Sequence, residues 1–257
     1  MPARDLELLQ QAAREAGEVA KGYAGESARR WDKPDNAGPV TEADIAVNDV
    51  LERILRSARP DYGWLSEESE DEPGRLDAEH VFIIDPIDGT RSFIEGSRSW
   101  AHSIAVAHRG VVTAAVIYLP RKDKLYAATT GQGATLNGAP VRVSAQAGLD
   151  GASVLGAKPT YAPENWRIPV PAFSRVYRPS LAYRLACVAE GRFDAMLTLR
   201  PTWEWDVAAG DLILREAGAH VSDRRGGVLR FNNAVPQVGG IVAAGPALHS
   251  ALIGALA

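Results

Sequence analysis

Two acidic residues stand three positions apart at the end of an apolar segment. In VFIIDPIDGTRSF (81–93), four apolar residues precede Asp85, and Pro86 and Ile87 separate it from Asp88. Mutual repulsion opposes the charging of both carboxylates, and a divalent cation between them offsets that repulsion. Carboxylate and carbonyl oxygens are hard ligands that suit Mg²⁺. The segment therefore predicts a metal site that uses both acids and the Ile87 carbonyl.

A simpler interpretation of the same residues is an Asp-Pro turn with solvated carboxylates. The position of the acids disfavours it, because α/β sheets commonly place their sites at the ends of apolar strands. Pro86 also fixes the spacing between the two carboxylates. Gly89 permits backbone angles that a residue with a Cβ resists, and Thr90 begins the next element.

The composition is that of a globular protein with one large domain or two modest ones. The chain has 257 residues, of which 46% are hydrophobic and 23% charged. A net charge of −4 provides no basic face for a nucleic acid polymer, so a small molecule is the expected partner. The single cysteine, Cys187, is expected in the core, which fits a cytoplasmic location. The acidic N-terminal helix is unlike a signal peptide, and no membrane span is expected.

The N-terminal half is expected to combine two helices with an antiparallel sheet. The first 20 residues have helical spacing, residues 31–40 suggest a loop or short hairpin, and a second helix runs from Thr41 to Pro60. A strand is predicted at 80–85. Two strands joined at Arg109-Gly110, and another pair turning on TGQG, follow it.

The C-terminal half alternates strands and helices. Strands are predicted at SVLGA, FDAMLTL and 239–245, and helices at 180–190 and 205–219, with a loop at 159–179. Residues near 145 form a plausible junction. We therefore expect an α/β (α+β) protein with an N-terminal domain at 1–145 and a smaller C-terminal domain at 146–257.

A second motif, WDVAAG (205–210), places Asp206 near the start of a helix. Together, DPIDGT (85–90) and WDVAAG resemble the paired signature of the inositol monophosphatase superfamily, the lithium-sensitive Mg²⁺-dependent phosphomonoesterases. VTEAD (40–44) and SEES (66–69) extend the likeness. The resemblance implies a layered αβαβα sandwich, with a mainly antiparallel first sheet and a smaller second α/β half, and a homodimer.

The resemblance also implies roles for individual residues. Glu67, Asp85 and the Ile87 carbonyl correspond to ligands of a first Mg²⁺, and Asp85, Asp88 and Asp206 to those of a second. Glu67 also faces a third, weaker metal, so two or three Mg²⁺ are implied per site. Asp44 and Thr90 correspond to the pair that orients the attacking water and takes its proton, while Gly89 and Thr90 bind the phosphate.

Two of these residues have structural alternatives in the sequence itself. Thr41-x-x-Asp44 is also a capping box, which stabilises a helix without any chemistry, and both roles are compatible. Asp206 could act as a simple N-cap. Glu68, the second acid of its pair, is not expected to bind metal directly.

Fewer residues indicate the substrate than indicate the family. Family members that hydrolyse inositol phosphates carry an acid seven positions before the motif aspartate, and here that position is Leu199. LRPTWEWD (199–206) and SLAYRLACVAEG (180–191) are similar to segments of the 3'(2'),5'-bisphosphate nucleotidases of sulfate assimilation. This likeness favours hydrolysis of adenosine 3',5'-bisphosphate to AMP and phosphate. Arg184 and Arg200 are candidate substrate cations, and Trp203 or Tyr183 a candidate adenine surface.

Other functions remain open from the sequence. Inositol 1-phosphate, histidinol phosphate and fructose 1,6-bisphosphate are alternative substrates within the superfamily. A different class of function is a non-catalytic module that binds metal and a phosphorylated ligand. The presence of both Asp44 and Thr90 favours catalysis, because a binding module can lose the proton-handling pair and keep its metal acids.

Overall fold

Two helices and a short hairpin begin the chain. The computed structural model describes residues 2–23, 27–34 and 38–257, so residues 35–37 of the predicted 31–40 segment lie outside the described residues. Helix α1 (Pro2–Lys21) is followed by strands β1 (Arg30–Asp32) and β2 (Pro39–Thr41), which pair antiparallel, and by helix α2 (Glu42–Ala58). Thr41 caps α2 with a complete capping box.

The first sheet has seven strands and spans the middle of the N-terminal half. Its strands, in spatial order, are β3 (Gly63–Ser66), β4 (His80–Asp88), β5 (Ala101–His108), β6 (Val111–Leu119), β7 (Lys124–Thr129), β8 (Ala134–Leu136) and β9 (Ala139–Pro140). Only β3 and β4 pair in parallel. The predicted antiparallel arrangement and the turns at Arg109-Gly110 and TGQG are confirmed.

The first acidic motif differs from the prediction in one respect. The strand does not end at Asp85; β4 continues to Asp88, and its pairing with β5 is irregular between these two residues. A short helix, α3 (Thr90–Ile94), follows Gly89, whose φ of 100° is in the left-handed region that glycine tolerates.

The second sheet has five strands and mixed pairing. In chain order the elements are β10 (Ser153–Gly156), β11 (Ser174–Val176), α4 (Leu181–Ala189), β12 (Ala195–Thr198), β13 (Thr202–Trp203), α5 (Glu204–Glu216), β14 (His220–Ser222), β15 (Gln237–Val238), β16 (Ile241–Ala244) and α6 (Pro246–Ala255). The sheet order is β11-β10-β12-β16-β14. The sequence did not predict β11, β13, β14, β15 or α6; β11 lies inside the expected loop at 159–179.

The apolar side chains divide the molecule into five layers. Alternate residues of β4 point to opposite faces, as the strand period requires. Phe82 and Ile84 pack with α1 and α2, whereas Val81 and Ile83 share a core with α4, α5 and one face of the second sheet. The other face of that sheet packs against α6. This αβαβα order confirms the predicted fold class.

The described residues also answer two questions raised by the sequence, the possibility of a membrane span and the position of the cysteine. In residues 2–23, 27–34 and 38–257, none of the helices combines the length and apolar character needed to span a bilayer. Cys187, the single cysteine, is buried in α4 as a free thiol, as expected.

Candidate metal centre

Three aspartates from the two signature motifs meet at one point. Asp85 and Asp88 lie at the end of β4, and Asp206 lies in the first turn of α5. One carboxylate oxygen from each lies within 4.8 Å of the other two. Asp85 is buried, and its Oδ1 has no hydrogen-bond partner among the described residues. Converging hard oxygens, one of them without a partner, fit a Mg²⁺ ligand set.

Without a bound cation, ionising these buried acids is energetically unfavourable. Burial raises the pKa of Asp85 well above its ordinary value, and the nearby charges of Glu67 and Asp88 raise it further. Burial also raises the pKa of Asp206, with Asp88 and Glu67 adding to the effect. A divalent cation reverses this balance, because it favours the ionised form of each carboxylate.

Asp88 is held by the C-terminal half of the chain. Its Oδ2 accepts hydrogen bonds from Ser180 Oγ at 2.7 Å and from the Ala182 N–H at 2.5 Å. Ser180 is also the N-cap of α4, where its Oγ accepts from the Tyr183 N–H at 3.0 Å. Burial raises the pKa of Asp88, while these hydrogen bonds oppose the rise. The start of α4 therefore fixes one acid of the metal centre.

Asp44 takes part in both arrangements that the sequence allowed. Its Oδ2 accepts from the Thr41 N–H at 2.8 Å and from Thr41 Oγ1 at 2.5 Å, which completes the capping box. Its Oδ1 accepts from Thr90 Oγ1 at 3.1 Å, and the Ile87 carbonyl lies 3.2 Å from the same hydroxyl. Burial raises the pKa of Asp44. One oxygen thus serves the helix, and the other faces the centre.

Glu67 and Glu68 are bridged by a cation that the sequence analysis did not single out. Lys33 Nζ lies 2.8 Å from Glu67 Oε1 and 2.6 Å from Glu68 Oε1. Burial and the neighbouring Glu67 raise the pKa of Glu68 to about 7, although Lys33 opposes this. No spacing signal links residue 33 to residues 67 and 68. Only the fold brings them together.

A buried histidine supports the main chain of the DPIDGT motif. The Pro86 carbonyl accepts a hydrogen bond from His102 Nδ1, on the neighbouring strand β5. Burial lowers the pKa of His102 to about 4, so the ring is neutral at pH 7. No motif in the sequence indicates this role for His102, which lies 16 residues from Pro86. Its position opposite the motif follows from strand pairing, with Asp85 opposite the adjacent Ser103.

Two cavities are lined by residues that the sequence analysis assigned to the site. The first, of about 210 Å³, is lined by Gly38, Pro39, Glu67, Gly89, Thr90, Arg91, Ser92, Tyr177 and Pro179. It joins the residues that the resemblance assigns to metal and phosphate. The second, of about 240 Å³, is lined by Ala157, Pro159, Thr160, Asn165, Thr198, Leu199 and Arg200. The Arg200 charge acts to lower the pKa of Asp206, so this side chain is within electrostatic range of the metal centre.

Arg184 is placed differently from Arg200. Its guanidinium donates to the Arg178 and Pro179 carbonyls and stacks on Tyr177, 4.4 Å from the ring centroid. Because Tyr177 and Pro179 line the first cavity, Arg184 supports its rim from behind. Direct contact between Arg184 and a substrate stays a prediction.

The structure bears on three predictions from the sequence, for Tyr183, Trp203 and Asp206. Tyr183 is buried, so it offers no face to adenine. Trp203 is 40% exposed and stacks on Trp205 with ring centroids 4.8 Å apart, so an indole surface does lie at the start of α5. The N-cap alternative for Asp206 is wrong, because Trp203 occupies that position and Asp206 lies inside the first turn.

The chain belongs to the inositol monophosphatase family, whose profile matches residues 2–257. It is 35% identical to a Nus factor SuhB of Salmonella typhimurium, over 96% of this chain and 94% of that protein. It is also 35% identical to an inositol-1-monophosphatase of Mesorhizobium japonicum, over 98% and 95% of the two chains. The crystal structure of the extragenic suppressor protein suhB from Bartonella henselae matches with a TM-score of 0.81 and 32% identity, covering 97% of each chain.

These findings confirm the predicted superfamily and its fold. Family membership indicates a metal-dependent phosphatase that acts on small phosphorylated molecules. The relatives named above carry inositol monophosphatase or SuhB names, and so they lend no support to the narrower likeness to bisphosphate nucleotidases.

Proposed function

We propose that this protein is a Mg²⁺-dependent phosphomonoesterase that hydrolyses a small phosphate ester with water. The observation that carries the proposal is the contact between Asp44 and Thr90 beside three converging aspartates. Metal-binding acids alone suit a binding module. A buried carboxylate hydrogen-bonded to a hydroxyl at the edge of the phosphate cavity provides in addition a route for a proton.

The ligand set proposed for Mg²⁺ comprises Glu67, Asp85, the Ile87 carbonyl, Asp88 and Asp206, holding two or three ions. When bound, Mg²⁺ lowers the pKa of a water and stabilises the leaving oxygen. The hydrogen bonds from Ser180 and Ala182 keep Asp88 in place, so it can bind without reorganising.

The chain's own residues then handle the proton and the phosphate. Thr90 Oγ1 donates its hydrogen to Asp44 Oδ1, so its lone pairs are free to accept from the attacking water. Burial raises the pKa of Asp44, which makes it a stronger base than an ordinary aspartate. Gly89 lines the cavity proposed for the phosphate, and its φ of 100° turns the chain from β4 into α3, a conformation that a residue with a Cβ adopts only with strain.

The leaving group is proposed to carry a second negative charge, as in adenosine 3',5'-bisphosphate. Leu199 lines the second cavity and offers no side-chain oxygen to ring hydroxyls, whereas Arg200 in the same cavity supplies a cation. Trp203 provides an exposed indole near the same motif. The second candidate is inositol 1-phosphate, which the name of the Mesorhizobium relative favours.

A non-catalytic role is the alternative of another class. Relatives at 34–35% identity carry the name Nus factor, which is not the name of a hydrolase. The two classes differ in one measurable respect. A binding module holds Mg²⁺ and phosphate without releasing phosphate from an ester.

A substrate panel tests these alternatives. Purified protein with Mg²⁺ is offered adenosine 3',5'-bisphosphate, inositol 1-phosphate, histidinol phosphate and fructose 1,6-bisphosphate, and kcat/KM is compared. We expect the highest value for the nucleotide. A clear preference for inositol 1-phosphate would overturn the role given to Leu199 and Arg200, and no release from any ester would favour the binding module.

A matched pair of variants ties any activity to the metal centre. Asp88→Asn removes a charged ligand but keeps an oxygen that accepts from Ser180, so we expect a folded protein that releases no phosphate above background. Asp123→Asn makes the same change at an exposed turn position with φ of 49°, which asparagine tolerates, and should leave activity unchanged. Equal activity in both variants would reject the assignment.

Several properties stay predictions from the sequence and the family likeness. They are the homodimer, the cytoplasmic location, lithium inhibition and the lack of a nucleic-acid partner. The division into domains at 1–145 and 146–257 is likewise a proposal. It falls between β9 and β10, the last strand of the first sheet and the first strand of the second.

A further inference from the structure

Two histidines and a glutamate meet at the beginning of β4, at the end opposite the aspartates. His80 and His108 are directly opposed partners in the pairing of β4 with β5. Their rings stack with centroids 4.5 Å apart. Glu79 Oε1 lies 3.0 Å from His108 Nε2. One ligand atom from each of these three residues lies within 4.8 Å of the other two.

The surroundings hold the imidazoles in place but leave them accessible. The Tyr62 ring stacks on His80, with centroids 4.6 Å apart and an interplanar angle of 11°. Both histidines remain partly exposed. Arg109 Nη2 lies 2.8 Å from Glu79 Oε1, but this ion pair joins side chains that are 75% and 54% exposed. Exposed pairs contribute little, so Arg109 is a weak competitor for the carboxylate.

The ligand chemistry differs from that of the aspartate centre. Imidazole nitrogens with one carboxylate suit Zn²⁺ and neighbouring transition metals, whereas Mg²⁺ takes oxygen ligands. Ligand atoms around a tetrahedral Zn²⁺ stand about 3.3 Å apart, given bonds of about 2.0–2.1 Å. Glu79 Oε1 and His108 Nε2, 3.0 Å apart, are close to that spacing, and one nitrogen of His80 lies within 4.8 Å of both. Three protein ligands leave the fourth position to water.

We propose that Glu79, His80 and His108 form a second metal site, selective for Zn²⁺ or a similar transition-metal ion. The site lies at the beginning of the nine-residue β4, roughly 17 Å from Asp85 and roughly 26 Å from Asp88 along the strand. The two centres therefore share no ligand. Residues 89–100 connect β4 to β5 at the aspartate end of the strands. An ion bound by Glu79, His80 and His108 would link the two strands at the opposite end.

Zinc binding to the full-length protein tests this site. Calorimetric titration with Zn²⁺ in excess Mg²⁺ should show one more equivalent in the native protein than in the double variant His80→Gln, His108→Gln. Glu79→Gln alone should weaken that equivalent by about tenfold or more. Co²⁺ bound at the same site should show a visible absorption band that the double variant lacks.

Two controls separate this site from others. His220→Gln alters another surface histidine that also contacts a second histidine, His249, with ring centroids 5.8 Å apart. Within the described residues, that pair has no carboxylate close enough to form a three-ligand group. We expect no loss of zinc in this variant. Asp85→Asn should also keep the equivalent, since it alters only the aspartate centre.

The outcomes are distinct from those of the hydrolase proposal. Unchanged zinc stoichiometry in the double variant, or an equal loss in His220→Gln, overturns the second site. Loss in Asp85→Asn alone assigns the zinc to the aspartates and likewise overturns it. Circular dichroism and the Tm of the double variant, compared with those of the native protein, serve as the check that it has folded, and neither measurement depends on phosphatase activity.

Discussion

At the scale of single residues, Asp44 binds different partners with its two carboxylate oxygens. Oδ2 closes the capping box of α2, and Oδ1 accepts from Thr90. The capping role and the proposed catalytic role of Asp44 are therefore separable by experiment, although both belong to the same side chain. The two roles are separated by changing Thr41, which donates to Oδ2, and Thr90, which donates to Oδ1, in different variants.

Removing the proposed base, Asp44, should lower turnover strongly without removing the helix. In Asp44→Asn the side chain still accepts hydrogen bonds but no longer takes a proton, so we expect kcat to fall by about a hundredfold to ten-thousandfold. Thr90→Val should have a similar effect because it removes the hydroxyl, whereas Thr90→Ser should keep most activity. Phosphate release under saturating substrate measures each case.

Thr41→Ala is the matched structural control. It removes one donor to Asp44 Oδ2 and the acceptor at the helix start, while Thr90 still reaches Oδ1. Loss of such a cap costs about 1 kcal/mol of unfolding free energy. If Thr41→Ala lowers kcat as much as Asp44→Asn does, Asp44 acts through the helix and not as a base.

At the scale of elements, α4 and α5 together hold two of the three aspartates. The start of α4 binds Asp88, and the first turn of α5 carries Asp206. The two helices pack at Gly210, where an added Cβ would stand 2.3 Å from Leu185 Cδ1 and 2.7 Å from Leu185 Cβ. This close approach explains the glycine in WDVAAG: a larger residue would push the helices, and with them the acids, apart.

Gly210→Ala should therefore destabilise the protein despite the higher helix propensity of alanine. Overpacking of this kind costs about 1–3 kcal/mol of unfolding free energy, offset in part by a propensity gain of about 1 kcal/mol. Gly254→Ala in α6 is the control, because nothing lies within 4 Å of its added Cβ. Urea unfolding should show a loss for the first variant and none for the second. Equal stabilities would show that α4 and α5 adjust freely around residue 210.

At the scale of the whole molecule, the buried acids couple folding to pH and to metal. Burial raises the pKa values of Asp85, Asp88 and Asp206. An acid with a raised pKa binds its proton more tightly in the folded state than in the unfolded state. Its contribution to stability is complete below the ordinary pKa and is lost as the pH rises through the raised value. For Glu68 that window runs from 4.5 to about 7.

Metal-free protein should accordingly melt at a lower temperature at pH 8 than at pH 5.5. In EDTA we expect the Tm to fall by about 5 °C or more across this range, since about 1 kcal/mol corresponds to about 2–4 °C for a chain of this size. Saturating Mg²⁺ should remove most of the fall, because it stabilises the ionised carboxylates. Asp85→Asn should reduce the fall measured in EDTA. A Tm in EDTA that rises with pH would contradict the burial of these charges.

Most of the secondary structure was readable from local pattern. The apolar run of β4, the capping box at Thr41 and the glycine turn at Arg109-Gly110 are determined by neighbours in sequence, and each appears in the fold. The elements that the sequence did not predict have weaker local patterns. Strand β11 is three residues within a loop rich in proline, and pairing with β10 decides it. Helix α6 does carry a local signal in the sequence, a proline at its first position.

The sequence by itself determined the kind of chemistry, since oxygen donors at fixed spacing and a proton-handling pair are properties of residue types and short motifs. Only the tertiary structure decided that Lys33 bridges two glutamates, that His102 holds the Pro86 carbonyl and that Asp88 rests on the start of α4. The physical reason is that these contacts join residues 16 to 94 positions apart. Such contacts depend on how the layers of the fold pack together. Packing between distant segments produces no regular spacing of residues that could be recognised in the sequence.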